Sequence, residues 1–177
     1  MKVKINVNNK TIEVEINEKQ LKELGLVAKR ITGYERVKKE DNYYSPCIYG
    51  DDAKGVEKGS VIDDELYNIG NYYSDKIIAK NNARADRLLR QLRRWQAQND
   101  EPISVEDWNN ESKKKWFIIY SYSSEEMYAE YYYIMRLPNT IYFATKEKAE
   151  EAIEVFRDEL LWYFTEYVQR LDEVQNG

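Results

Sequence analysis

Apolar and polar residues alternate near the start of this chain. Val3, Ile5 and Val7 are separated by polar positions, and beyond Asn8-Asn9 the alternation resumes at Ile12, Val14 and Ile16. A period of two marks a strand with one face turned inward, and asparagine tolerates the positive φ of a two-residue turn, so the pattern predicts a β-hairpin. Asn17, three residues ahead of Gln20, reads as the cap of a short helix that Gly25 ends. From Gly33 to Gly70 the periodicity fades. Segments 34–37 and 43–49 read as strands, and 50–60, with three glycines and little apolar material, reads as a mobile loop.

A period near 3.6 takes over from about Asp75 to Gln98, with Ser74 as the candidate cap. At about 100° per residue, Ala85, Leu88, Leu89, Leu92 and Trp95 share one arc. Asp100-Glu101-Pro102 closes the helix, because proline disfavours a helical residue before it. Three extended stretches follow, at 116–122, at 128–137 and from Ile141, separated by turns at 123–126 and Pro138-Asn139. Together they predict an antiparallel meander holding seven of the sixteen tyrosines. Thr145 then caps a long helix to about Asp172, whose apolar face is Ala149, Ala152, Ile153, Phe156, Leu160, Phe164, Tyr167 and Leu171.

The fold class that results is α+β: an N-terminal β-hairpin plus short helix, a long basic helix, and an antiparallel aromatic β-meander packed by a long C-terminal helix. Residues 1–70 and 71–177 are expected to form one compact unit. One echo runs along the chain. Tyr72-Tyr73-Ser74-Asp75-Lys76 with Ala79 recurs as Tyr142-Phe143-Ala144-Thr145-Lys146 with Ala149. Both copies lead an aromatic strand end through a polar cap into a helix, a shared local geometry.

Composition narrows the chemistry. The 177 residues are 42% hydrophobic and 33% charged, enough apolar material for a core. No run of about 18 apolar residues and no apolar leader are visible, so the expectation is a cytoplasmic protein without a membrane partner. Cys47 is the lone cysteine, which fits a reducing compartment. Histidine is absent. That removes Ser-His-Asp and Cys-His nucleophiles, the facial triad and the ordinary zinc site. No cofactor, metal or catalytic residue is predicted. Asp51-Asp52 and Asp63-Asp64-Glu65 lack a calcium-loop spacing and read as solvated carboxylates before they read as a cation site.

Charge is segregated. Residues 76–94 hold Lys76, Lys80, Arg84, Arg87, Arg90, Arg93 and Arg94 against one acid, Asp86, a local charge of +6 in a chain of net charge -5. Residues 146–173 hold four basic and nine acidic side chains, a local charge of -5. Three assignments of the stripe stand open. It pairs with the acidic C-terminal helix, in the same molecule or across a homodimer. It meets phosphates of a nucleic acid, its arginines spaced i, i+3 and i+7. Or it anchors an acidic patch of a protein partner. The acidic face of Glu147, Glu150, Glu151, Glu154 and Asp158 reads first as a solvated helix face, and in its sharper form as a mimic of nucleic-acid phosphates.

Segments 32–37, 67–73, 83–95, 141–143 and 159–164 resemble a family of small uncharacterised proteins encoded by phages and prophages of Gram-positive bacteria, in particular Thr32-Gly33-Tyr34-Glu35-Arg36-Val37 and Tyr67-Asn68-Ile69-Gly70-Asn71-Tyr72-Tyr73. The resemblance carries no catalytic residues over to this chain. It implies an accessory protein that works in the host cytoplasm by binding and modulating a host protein. Immune effectors are common targets of such proteins, as in anti-CRISPR and other anti-defence inhibitors.

Overall fold

The computed structural model describes residues 2–7, 10–15, 17–23, 31–46 and 52–174. The turn expected at Asn8-Asn9, the helix end at Gly25, Cys47 and the Gly50-Asp51 start of the expected loop lie outside them. The chain divides into two compact units after Thr32. The smaller unit holds the antiparallel pair β1 (Lys2–Val7) and β2 (Lys10–Glu15), followed by α1 (Glu18–Glu23). The expected cap is in place. Asn17 Oδ1 accepts from the Gln20 N–H at 2.9 Å, and Gln20 Oε1 accepts from the Asn17 N–H at 3.0 Å, a reciprocal box.

The larger unit, residues 33–177, is built around one helix. Its elements are β3 (Asn42–Pro46), β4 (Asp52–Val56), α2 (Val61–Asn68), α3 (Lys76–Asn99), α4 (Val105–Asn109), β5 (Lys115–Ser121), β6 (Glu126–Tyr132), α5 (Lys146–Val155), α6 (Arg157–Thr165) and α7 (Leu171–Val174). The α+β class therefore holds. β3 pairs with β4 and β5 with β6, each antiparallel. Among the described residues no helix is long and apolar enough to cross a membrane.

The echo in the sequence has a structural counterpart. Tyr73 exchanges two backbone hydrogen bonds with Tyr44 of β3, at 2.8 and 2.9 Å, and Phe143 does the same with Trp116 of β5, at 3.0 and 2.7 Å. Each aromatic thus adds one antiparallel bridge beside the first strand of the preceding hairpin. Each is followed by a capped helix whose fourth residue, Ala79 or Ala149, is fully buried.

Local details depart from the sequence reading in five places. The meander's third strand is only that single bridge at Phe143, and β6 stops at Tyr132, well short of Leu137. Segment 34–37 is not a strand, because its polar groups serve side chains: the Val37 N–H points at the Tyr72 hydroxyl at 3.4 Å, and Arg36 reaches Glu57. Residues 52–56 of the expected 50–60 loop are strand β4, where Gly55 sits opposite Tyr43 with the tyrosine ring over it. A Cβ at Gly55 would fall 2.3 Å from Tyr43 Cζ, so only glycine allows that approach. The cap of α3 is Asp75, whose carboxylate accepts from Ile77 and Ile78 at 2.8 and 3.0 Å, while the Ser74 hydroxyl donates to Glu35. Finally, the C-terminal helix is broken at Phe156, which leaves α geometry at φ -112°, ψ 18°. Leu160 and Trp162 are both buried, although they lie about 200° apart on a helix. A straight continuation of one stripe would leave one of them outside.

The core joins Leu88 and Leu92 of α3, Ala129 of β6, Phe143, Ala149 and Ala152 of α5, and Leu160 of α6. Trp116 and Ile118 of β5 pack on the same cluster, so this face of the β5–β6 pair is covered by helices. Replacing Leu88 by Ala should cost about 2–5 kcal/mol in chemical denaturation, because the surrounding helices relax only partly into the cavity. The exposed change Arg90→Ala should stay within about 0.5 kcal/mol of the wild type.

Candidate functional site

Helix α3 runs 24 residues, about 36 Å, and ends at Asp100 as the Pro102 signal predicts. Ile78, Ala79, Ala85, Leu88 and Leu92 are buried, which fixes the rotation of the helix and turns its basic residues outward. Lys76, Lys80, Arg87, Arg90, Arg93 and Arg94 are exposed, and Arg84 is half-buried. The stripe is therefore real as a surface, but its members meet different fates.

Arg84 lies at the edge of the stripe, and α6 takes it. Its guanidinium makes two parallel bonds to Glu159, at 2.9 and 3.1 Å, and stacks 3.9 Å from the centre of the Trp162 ring. The fork matches the carboxylate, and the indole face attracts the cation. These bonds, then the charges of Arg84 and Arg87, hold the Glu159 carboxyl below its ordinary range against the effect of burial. Intramolecular pairing of the two charged helices thus occurs, at this one arginine. Arg87, Arg90, Arg93 and Arg94 form no ion pair among the described residues.

The acidic face is organised differently. Glu147, Glu150, Glu151 and Glu154 line one groove of about 490 Å³ with Met127, Tyr128, Ile153 and Arg157, while Asp158 is exposed on α6. Three of the four are paired locally: Glu150 with Lys146 at 2.9 Å, Glu151 with Lys148 at 2.7 Å, and Glu154 with Arg157. Such pairs are worth a few tenths of a kcal/mol each and mute the face as an anionic surface.

Of the candidate carboxylates near β4, Asp63 and Asp64 are engaged by the fold itself. Asp63, buried in the first turn of α2, accepts from the Tyr43 hydroxyl at 3.0 Å, from the Lys58 and Ser60 N–H groups at 3.0 and 2.9 Å, and from the Ser60 hydroxyl at 2.9 Å. Those donors, the backbone ones first, hold it far below the usual carboxylate range. Asp64 pairs with Arg36 at 2.6 Å. Glu57, absent from the sequence-based candidates, is also buried. It accepts two bonds from Arg36, at 3.0 and 2.9 Å, one from the Tyr72 hydroxyl at 2.8 Å and one from the Gly59 N–H at 2.8 Å. Arg36 foremost, with Tyr72 and Gly59, lowers its pKa although burial opposes the shift. With every oxygen occupied, neither Asp63 nor Glu57 is placed to take a substrate proton.

Sequence reasoning also missed a second group of cations. Arg136 lies with its guanidinium 5.1 Å from the Trp108 ring centre. Lys115, fully buried, donates to the carbonyls of Asn110, at 3.0 Å, and Tyr133, and its Nζ is 5.7 Å from the same ring. Burial lowers the Lys115 pKa. A basic residue at the edge of a tyrosine-rich strand carries no local signal for any of this.

Two outcomes test these assignments. Because the folded-state pKa of Glu57 is lowered, the stability it supplies is present above the ordinary carboxylate range and is lost as pH falls. Glu57→Gln should lower the melting temperature by several degrees at about pH 7, and the gap to the wild type should narrow progressively as pH falls below about 5. A double-mutant cycle on Arg84→Ala and Glu159→Ala should give a coupling of about 0.5–1 kcal/mol, since both groups keep a third or more of their exposure.

No protein-family model, no curated protein and no solved structure matches this chain.

Proposed function

We propose that this chain is a non-enzymatic binding protein that seats an acidic patch of a host protein on Arg87, Arg90 and Arg94 of α3. The observation that carries the reading is that these three arginines are exposed and form no ion pair among the described residues, on a helix whose opposite side is anchored in the core. Arginines that project from a packed helix without internal ion pairs have no bond to break on binding, although each gives up side-chain rotamer freedom, and arginine is a typical anchor of protein interfaces. The resemblance to phage-encoded proteins supports a partner from the infected cell, and an immune effector such as a CRISPR nuclease is the class to try first.

The spacing i, i+3, i+7 also favours a second reading, contact with nucleic-acid phosphates. Against it stand the net charge of -5 and the shortness of the patch. With Arg84 taken by Glu159, residues 87 to 94 span about 10 Å of helix. Three phosphate contacts would give a slope of log affinity on log salt of only about -2.7 on duplex DNA.

Both readings are tested with one charge-reversal variant, Arg87→Glu/Arg90→Glu/Arg94→Glu, which touches only exposed positions. The host partner retained by the wild-type protein should be lost with the variant at an unchanged melting temperature. Fluorescence anisotropy should detect no DNA or RNA binding at moderate salt. Retention of the partner by the variant would remove the arginine face from the function. Salt-sensitive nucleic-acid binding lost in the variant would put the second reading first. Nucleotide or nucleic-acid turnover that disappears with a carboxylate substitution would overturn the non-enzymatic assignment.

A further inference from the structure

Arg93 lies at the edge of the face of Arg87, Arg90 and Arg94, about 60° round the helix from Arg90. At 100° per residue it lies about 100° round the helix from Arg94, on the side toward the 137–142 segment. There it lines a recess of about 340 Å³ together with Gln96, Trp108, Arg136 and Tyr142. Two arginines open into this recess and no carboxylate lines it. Neither Arg93 nor Arg136 has an ion-pair partner among the described residues. Asp107 of α4 is engaged by Lys113 at 2.8 Å, and the Nζ of buried Lys115 lies 5.7 Å from the Trp108 ring centre. With no carboxylate lining the recess, an anion bound there would meet two arginine charges that have no ion-pair partner among the described residues.

Thr140 and Ile141 line this recess and also a second one, again of about 340 Å³. The second recess is walled by Leu88, Leu89 and Leu92 of α3, Ile118 of β5 and Phe164 of α6, among others, and the residues with polar side chains in its wall are Asn139, Thr140 and Tyr163. A cationic mouth therefore adjoins an apolar slot, and each is at the lower end of the size range of small-molecule sites. We infer that the two recesses form one binding site for a small amphipathic carboxylate, its headgroup held by Arg93 and Arg136 and its alkyl chain in the slot behind Thr140 and Ile141. The guanidinium fork suits a carboxylate, and the slot offers a chain a largely apolar wall.

The probe is decanoate, titrated calorimetrically against the full chain, with decanol and acetate as the chain alone and the head alone. Decanoate should bind, with decanol at least tenfold weaker and acetate undetected. Arg136→Ala, an exposed position, and Arg93→Ala should each weaken decanoate about tenfold and leave decanol unchanged. Equal binding of decanoate and decanol, indifferent to both arginines, would reduce the site to an apolar slot. Binding of acetate as tight as decanoate would reduce it to an anion mouth. No binding of decanoate at millimolar concentration overturns the site altogether. None of these results bears on Arg87, Arg90 and Arg94, so the proposed partner surface stands or falls separately.

Discussion

The close packing of α3 on α5 is the contact on which the larger unit depends. Leu88 and Leu92 meet Ala149 and Ala152 in one buried cluster, and both alanines are fully inaccessible. Small side chains on one helix let large ones from the other fill the space between the axes, so the rotation of α3 about its own axis is determined. Everything functional about the helix follows from that rotation. It sets Arg84 against α6, turns Arg87, Arg90 and Arg94 to solvent, and leaves Arg93 facing the 137–142 segment.

Charge in this protein divides into groups that are spent and groups that are held ready. Glu57, Asp63 and Lys115 are buried, and each meets donors or acceptors that satisfy it. Burial of an unpaired charge is prohibitive, so these groups work as staples between Arg36, β3, β4 and α2, or between the start of β5 and the end of β6. The arginines on the outer face of α3 carry no such obligation. That contrast, more than the number of basic residues, separates a surface for binding from ordinary ion pairing.

The two aromatic bridges give the larger unit an internal rhythm. Tyr73 and Phe143 each lay one residue of extended backbone beside a hairpin, then hand the chain to a capped helix with a buried alanine in its first turn. A single bridge is a weak element by itself, but a buried aromatic at that point anchors it. The same solution is used twice with helices of 24 and 10 residues, so the junction is conserved in geometry while its load differs.

What the sequence determined by itself was local. The first hairpin, the Asn17 and Thr145 caps, the extent and buried face of α3, and the β5–β6 pair were all legible, because each depends on spacing within a few turns or on one side chain meeting nearby backbone. The tertiary structure decided the rest. It chose Asp75 over Ser74 because Glu35 and Gly33 already hold Ser74. It paired β4 with β3 because the Tyr43 ring needs a residue without a side chain opposite. It broke the last helix at Phe156 so that Leu160 and Trp162 could both be buried. It also sorted seven basic residues that look alike in the sequence. Which arginine is consumed and which remains is fixed by what lies across from it, and that partner, such as Glu159 for Arg84, comes from 75 residues away.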